Sequence, residues 1–362
     1  MATAKDAATA KDASQTAGAR PGACSFDEVH QIFVKRVFDD DDLAAVTELL
    51  DAASEADAHP ALGEHAWLDL VQGGRDGFAG LVAWEPDHPH PVGYAQVSLG
   101  ENGGTGRRSW ALEVVVDPHH RTPGNTVALD LVNGAIDLIA SEGGGHLHLW
   151  VSQPAPYHER MAKAVGLSPG RALYQMRRPL PADEHATIQT RPFRPGEDEQ
   201  AWLEVNNRAF RRHPEQGGWT EETLKARQAQ PWFDPDGFLL HYREGRLAGF
   251  CWTKVHRAEA LSLGEIYVVA VGPEFSGHGL GRQLTLAGLD YLTSRGLPEA
   301  MLYVDATNVP ALKLYVGLGF TVNHIDRAYT GDVPAKRSDI GHIDDARGVV
   351  GHTAQGDDLE VG

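Results

Sequence analysis

Residues 265–282 read Glu-Ile-Tyr-Val-Val-Ala-Val-Gly-Pro-Glu-Phe-Ser-Gly-His-Gly-Leu-Gly-Arg. The β-branched run closed by Gly272-Pro273 predicts a buried strand. Leu280, Leu284, Ala287 and Tyr291 then recur at helical spacing. Between strand and helix lies a glycine loop, Ser276 to Arg282. Such a loop suits a phosphate: glycine lets the backbone turn sharply and approach a ligand closely. The first helical N–H groups are unpaired, and the helix dipole favours an anion. A glycine-rich connection with no ligand is the competing reading. The dinucleotide fingerprint fits poorly. Begun at Gly277 it ends on Arg282, and begun at Gly279 it ends on Leu284. Both are too large for the helix–strand packing that motif needs. Asp305, at the end of the next strand, keeps that reading open. The NTPase loop fails because no Gly-Lys-Ser/Thr follows.

The same order occurs upstream. Glu113 to Pro118 (EVVVDP) is followed by His119-His120-Arg121-Thr122-Pro123-Gly124-Asn125, and then by Ala128, Leu131, Ala135 and Leu138 at helical spacing. Residues 146–151 (HLHLWV) match 300–305 (AMLYVD), and 163–167 (KAVGL) match 316–320 (VGLGF). The shift is 155 residues from Pro118 to Pro273 and 153 from Gly166 to Gly319. Four features in one order suggest a duplicated unit. Strand candidates precede the loop in each half: GLVAWE and VGYAQVSL in the first, GFLLHYRE and LAGFCWTKV in the second, the last two joined by a short hairpin turn at Glu244-Gly245. Hairpin strands followed by βαβα predict an α/β fold, a mixed sheet flanked by helices. Residues 1–25, with ATAKDA twice in a row, and residues 336–362 are expected to be disordered. Residues 26–180 and 191–335 are the expected domains, with a polar linker at 181–190.

The chain has 362 residues and a formal net charge of −18, which disfavours a phosphate-tracking nucleic-acid surface and an anionic membrane. No apolar run is long enough to span a bilayer. Two cysteines, Cys24 and Cys251, make neither a disulfide framework nor a four-ligand zinc site, and a reducing cytoplasm fits best. No metal is expected: His119-His120 adjoin and His146 and His148 alternate on one strand face, but no third ligand has fitting spacing. The acidic run Asp39 to Asp42 reads as a helix N-terminus or a solvated segment.

The segment Asn308-Val309-Pro310-Ala311-Leu312-Lys313-Leu314-Tyr315 through Gly319-Phe320 has the order N-x-x-A-x-x-x-Y-x-x-x-G-F. With the glycine loop it resembles the GNAT acetyltransferases, in which Q/R-x-x-G-x-G/A cradles the pyrophosphate of CoA. Ser276 stands at the Gln/Arg position, which removes a long side chain but no backbone donor. Asn308 is a plausible N-cap. The stretches His213 to Trp219, Trp232 to Gly237, Trp252 to His256 and Gly264 to Val268 are similar to the mycothiol synthase family of tandem GNAT proteins. The similarity is dense over 190–330 and thin over 28–180, where Gly63-Glu64 and Gln175 to Pro179 carry it.

The resemblance implies two tandem GNAT-like domains, each a mixed, mostly antiparallel sheet. It implies transfer of acetyl from acetyl-CoA to the cysteinyl amine of cysteinyl-glucosaminyl-inositol, the last step of mycothiol biosynthesis. Tyr315 would protonate the departing thiolate. The acetyl-CoA site would comprise Val269, Ala270 and Val271, whose N–H groups face the thioester oxygen; Ser276, Gly277, His278, Gly279, Leu280, Gly281 and Arg282; and Asn308 to Lys313. Its first-half counterpart is Val114, Val115, Val116, Gly124, Asn125 and Thr126. That copy looks degraded, because Thr126 replaces a Gly or Ala and Pro123 removes a donor. Glu64, Glu215, Lys254, Glu265 and Tyr303 match substrate-contacting positions. The chemistry itself asks for a base, since an α-amine is mostly protonated at pH 7. Glu265, at the start of the strand that enters the glycine loop, is the candidate. A monomer is expected. A GNAT enzyme for another amine, such as an aminoglycoside or a peptide, and a non-catalytic acyl-CoA sensor remain open readings of the sequence.

Overall fold

The computed structural model describes residues 30–100, 108–211, 216–258 and 261–336. The expected tails lie outside these residues apart from Lys336, and so do Cys24 and Glu215. In the first half the elements are β1 (Gln31–Lys35), α1 (Asp40–Asp57), α2 (Glu64–Val71), β2 (Phe78–Trp84), β3 (Gly93–Leu99), β4 (Ser109–Val116), α3 (Val127–Ser141), β5 (Gly145–Ser152), α4 (Pro156–Ala164) and β6 (Ser168–Pro179). In the second they are β7 (Arg191–Pro192), α5 (Glu199–Ala209), α6 (Glu221–Gln228), β8 (Phe238–Arg243), β9 (Arg246–Ala258), β10 (Leu261–Val271), α7 (Leu280–Ser294), β11 (Glu299–Asp305), α8 (Val309–Val316) and β12 (Thr321–Val333). The run β2-β3-β4-α3-β5-α4-β6 repeats as β8-β9-β10-α7-β11-α8-β12, with a 3-10 turn after β4 (Pro118–His120) and after β10 (Pro273–Phe275). This is the duplication the sequence suggests.

Local chemistry sets the ends. Asp39 caps α1 by accepting from the Asp42 N–H at 2.9 Å, so the acidic run is a helix N-terminus that meets the dipole favourably. Glu244 and Gly245 have φ of 51° and 73°, the two positive values that a two-residue hairpin turn requires. Asn308 accepts from the Ala311 N–H at 3.2 Å and starts α8.

All twelve strands form one sheet in the order β1-β2-β3-β4-β5-β12-β6-β11-β10-β9-β8-β7. Only β4–β5 and β10–β11 are parallel. The order departs from two separate sheets. Each half lends its last strand to the other: β12 pairs with β5 along Asp326–Val333 and with β6, and β6 pairs with β11. The linker does not hang free either. Ala186 and Thr187 donate to Asp290 and Gln283 on α7 at 2.9 and 2.7 Å, so the segment is strapped along that helix.

Helices cover both faces of the sheet in each half, as amphipathic elements must. In the first half α3 buries Leu131, Ala135 and Ile139 against Leu81, Leu112 and Leu147. On the opposite face α1 and α2 bury Leu49 and Leu70 against Phe78 and Tyr94. In the second half α7 buries Leu284 and Leu289 against Cys251 and Ile266, and an aromatic core of Trp202, Trp219, Phe238, Phe250 and Trp252 fills the other face. Cys251 is a buried free thiol, and burial pushes it up to about 12.

The tightest contact of α7 is Gly288. A Cβ there would lie 2.5 Å from Cys251 Sγ and 2.7 Å from Ile266 Cδ1. Gly288→Ala is therefore expected to destabilise the fold by about 1–3 kcal/mol through overpacking. Urea denaturation checks this, and an unchanged midpoint would show that α7 does not press on the sheet here.

Candidate functional site

The site begins where two parallel strands part. β10 and β11 are in register at Gly264–Ala300 and Glu265–Met301 and at no later residue of β10. Beyond Glu265 the inner edge of β10 is open, while its outer edge stays paired with β9 through Val271. On a strand paired along one edge, alternate N–H groups point to the free edge. Val269 and Val271 therefore offer donors to the gap, whereas Ala270, two residues before the Gly272 N–H that donates to the Ala248 carbonyl at 2.9 Å, turns its N–H to β9, contrary to the expectation for that residue. The β9–β10 register slips between Ile266 and Val268, a bulge that leaves Tyr267 without an opposite residue.

At the far end of β10 lies the glycine loop. Gly277 and Gly279 have φ of 86° and 74°, and nothing lies within 4 Å of a Cβ built on either. The α7 N-cap is Gly279, with no side-chain cap. Space is therefore open beside the first turn of α7, whose N–H groups precede any intrahelical partner, the arrangement that receives an anion. Arg282 itself is committed elsewhere, to Glu184 at 2.7 Å and the Gly317 carbonyl at 3.3 Å.

The first half has the same geometry in a partly closed form. β4 pairs with β5 from Ser109 to Glu113, which leaves Val114, Val115 and Val116 beside a corresponding gap. There Arg121 Nε donates to the Val116 carbonyl at 2.9 Å, and Asn125 Oδ1 accepts the Val127 N–H at 2.9 Å. The chain's own side chains occupy groups that a ligand would use. Gly124 is open, and Thr126 is the uncapped N-cap of α3.

Glu265 is 7% exposed and Tyr315 also 7%. Burial pushes the Glu265 carboxyl up, but the His256 imidazole, 2.7 Å from its Oε2, and then Lys254 hold it below the ordinary carboxylate range. Lys254 is the register partner of Glu265 across β9–β10. Its ammonium lies 3.3 Å from Glu64 Oε2 and 4.4 Å from the centre of the Trp232 ring. Three expected substrate contacts, from both halves, therefore meet: Glu64, Lys254 and Glu265. Glu64 Oε1 is buried with no hydrogen-bond partner among the described residues, so it is available to a donor.

Tyr303 lies two residues beyond the Glu265 partner Met301, on the same face of β11, and is 43% exposed. Its hydroxyl accepts from Gln175 at 3.0 Å. Tyr315 sits apart from this group, in the core under α7 and α8 beside Phe320. Burial pushes its phenol well up, so it remains protonated at neutral pH.

Several partners escape the sequence. His256 is two residues from Lys254 on β9, which places both on one face, but its diagonal contact with Glu265 requires the register. Arg227, 3% exposed, stacks 4.1 Å over Trp219. It donates to the Tyr267 hydroxyl at 3.0 Å and to His65 Nδ1 at 2.9 Å, joining α6 to α2. Glu113, whose counterpart in β10 by register is Val268, is the last residue of β4 paired with β5. It accepts the Gly63 N–H at 2.7 Å and so fixes the start of α2, where Glu64 is the next residue.

A model of the Acetyltransferase (GNAT) family matches residues 200–320. The "Mycothiol acetyltransferase" of Acidimicrobium ferrooxidans is 42% identical over 304 residues, covering 81% of this chain and 95% of the relative. That of Thermobispora bispora is 44% identical over 296 residues, covering 80% and 95%. A tandem GNAT protein of the clavulanic acid biosynthesis pathway shares the fold, with a TM-score of 0.60 at 17% identity over 85% of this chain and 100% of its own. A GCN5-related N-acetyltransferase of Sphaerobacter thermophilus does so with a TM-score of 0.59 at 23% identity, over 84% and 96%.

The His256 contact makes a testable statement about Glu265. His256→Ala removes the lowering contact and leaves the burial, so the Glu265 carboxyl is expected to titrate at higher pH than in the native chain. His256→Gln, whose amide still donates, should fall between. Carboxyl-carbon NMR reads the titration directly. In the native chain the ionised Glu265 stabilises the fold above the ordinary carboxylate range, and that contribution is lost as pH falls through its lowered value.

Proposed function

The chain belongs to the mycothiol acetyltransferase family of GNAT proteins, and on that premise we propose that its site moves the acetyl group of acetyl-CoA onto the cysteinyl amine of cysteinyl-glucosaminyl-inositol. The observation that carries the reading is the meeting of Glu64, Lys254 and Glu265 beside the gap between β10 and β11. GNAT-fold acetyltransferases use acetyl-CoA as co-substrate, which supplies an activated thioester.

The residues present fit that co-substrate. Gly277 and Gly279, with the free N–H groups up to Arg282, would take the pyrophosphate, and a side chain at either glycine would fill the cradle. Asn308 to Lys313 would border the pantetheine arm. The N–H groups of Val269 and Val271 would receive the negative charge that develops on the thioester oxygen, where fixed backbone dipoles cost no reorganisation.

The substrate amine arrives mostly as a cation. Two carboxylates, Glu64 and Glu265, would anchor it and the neighbouring hydroxyls. Glu265, ionised at neutral pH, takes the ammonium proton directly or through one water, and the free amine attacks. His256 keeps the carboxylate oriented and charged. Tyr315, held as a neutral phenol, donates to the departing thiolate. Lys254, Tyr303 and Glu215 would complete the polar surround of the sugar. A buried hydroxyl left without a partner costs about 1–3 kcal/mol, so each of these contacts discriminates among acceptor amines. The proposed division of labour follows. Residues 191–335 carry the reaction, and residues 26–180 present Glu64 and shape the groove.

Mass spectrometry of cysteinyl-glucosaminyl-inositol incubated with the protein and acetyl-CoA should show one acetyl group gained on nitrogen. A panel of aminoglycosides and peptides should give no comparable rate. Glu265→Gln is expected to lower kcat by ~10²–10⁴-fold, the usual weight of a positioned base, with acetyl-CoA affinity kept. Tyr315→Phe should slow turnover less, because water also protonates a thiolate. A Glu265→Gln enzyme with native kcat would sink the base assignment.

A further inference from the structure

We propose that His88, Asp117 and His120 bind a divalent transition-metal ion of the zinc class, at a site in the first half remote from the acyl-transfer residues. Among the described residues these are the group whose ligand atoms, one from each, lie within 4.8 Å of one another. They come from two turns at one end of the sheet. Glu85 follows β2, His88 and His90 lie in the β2–β3 turn, and Asp117 to His120 make the 3-10 turn that ends β4.

Four imidazoles surround one buried carboxylate, with the exposed His119 ring 3.4 Å from Asp117 Oδ1 and its backbone N–H donating to that oxygen at 2.8 Å. The ring centres of His88 lie 4.7 Å from His90 and 5.0 Å from His120. Asp117 is 1% exposed. The hydrogen bonds fix which nitrogens are free. His88 Nδ1 faces the His90 carbonyl at 2.7 Å, and His90 Nδ1 faces the Pro91 carbonyl at 3.0 Å. A carbonyl only accepts, so both rings carry their proton on Nδ1 and, when neutral, turn an Nε2 lone pair inward. His90 Nε2 lies 3.8 Å from Asp117 Oδ2. A lone pair facing a carboxylate is repulsive unless a cation stands between them.

The His120 ring bridges two carboxylates. Its Nδ1 lies 3.0 Å from Asp117 Oδ1, and its Nε2 lies 3.2 Å from Glu85 Oε2. Metal–nitrogen bonds of ~2.0–2.1 Å in a tetrahedron place neighbouring ligands ~3.3 Å apart. The Asp117–His120 spacing is close to that edge. Nδ1 would bind the metal while Nε2–H donates to Glu85, the carboxylate–histidine–metal arrangement that fixes a tautomer and raises ligand basicity. A second sign points the same way. Glu85 is 11% exposed in its side chain, and its Oε1 is buried with no hydrogen-bond partner among the described residues. The neighbourhood thus holds more buried acceptor than its donors satisfy. The ligands are His88 Nε2, His120 Nδ1 and Asp117, with His90 Nε2 or a water in the fourth position. Such an ion would bolt the β2–β3 turn to the end of β4, immediately ahead of the first-half loop at Gly124.

The sequence alone lacks this reading because His119-His120 has no third ligand at fitting spacing, and the fold brings that ligand from residue 88. The test uses the full chain without a polyhistidine tag. The protein is incubated with Zn(II) or Co(II), dialysed against metal-free buffer, and its metal is counted by plasma mass spectrometry. One ion per chain should remain, Co(II) should show the visible bands of four-coordinate nitrogen and oxygen ligation, and chelation should lower the thermal midpoint. His88→Ala, in a partly exposed turn, should fold normally by circular dichroism and lose the ion, while a His146→Ala/His148→Ala variant keeps it. No ion retained by the native chain, or retention that survives His88→Ala, overturns the site, and the cluster is then only a set of hydrogen-bonded imidazolium–carboxylate pairs.

Discussion

The parting of β10 from β11 after Glu265 is the constraint on which the site depends. A parallel pair that stayed in register to Val271 would spend every inner N–H of β10 on β11. Because the strands diverge, Val269 and Val271 keep backbone donors for a ligand, and the glycine loop lies at the far end of the same gap. The bulge at Tyr267 belongs to the same solution. It shifts the side chains beyond it by one position against β9, so the face that carries Glu265 and Lys254 gives way to a different one at the mouth of the gap. Glu265 and the free N–H groups of Val269 and Val271 thus lie on one strand, with little freedom between them.

The two halves carry the same plan with different polar groups in it. The first keeps the diverging pair, the 3-10 turn and the helix. Its carboxylate at 113 is bonded to Gly63, where a Cβ would stand 2.9 Å from Glu113 Oε1, and Arg121 and Asn125 use up polar groups of the gap and the helix start. Glu113, at the mouth of the first gap, is a clamp on α2. That clamp sets Glu64 against Lys254, and Arg227 draws the same helix towards Tyr267 through His65. The duplication survives as architecture while its polar groups have been reassigned to hold the other half's site together.

Much of this was legible from sequence because it is local. The strand, glycine loop and helix at 265–294, the hairpin at Glu244-Gly245, the cap at Asn308 and the helix start at Asp39 each rest on residues a few positions apart. The meeting of Glu64 with Lys254 was reached by resemblance alone, since nothing near residue 64 announces a partner 190 residues away. His256 beside Glu265, Arg227 between Tyr267 and His65, and His88 beside Asp117 were not legible. Each depends on strand register or on the docking of distant turns, which hydrophobic periodicity does not encode. The exchange of β6 and β12 was hidden for the same reason. The sequence pattern ends each half on a helix, so neither strand was read there, and a strand's sequence does not name its neighbour.

That exchange bears on how the chain is made. β5 leaves the ribosome long before β12, the strand that covers its free edge. From Ser152 to Thr321 is roughly 170 residues, on the order of ten to thirty seconds of translation at ~5–20 residues per second. For that interval the nascent first half presents an unsheltered strand to whatever else is nearby, the situation that invites aggregation. Completion of the amino-terminal half is therefore postponed to the last moments of synthesis, and a premature stop anywhere before residue 333 damages both halves at once.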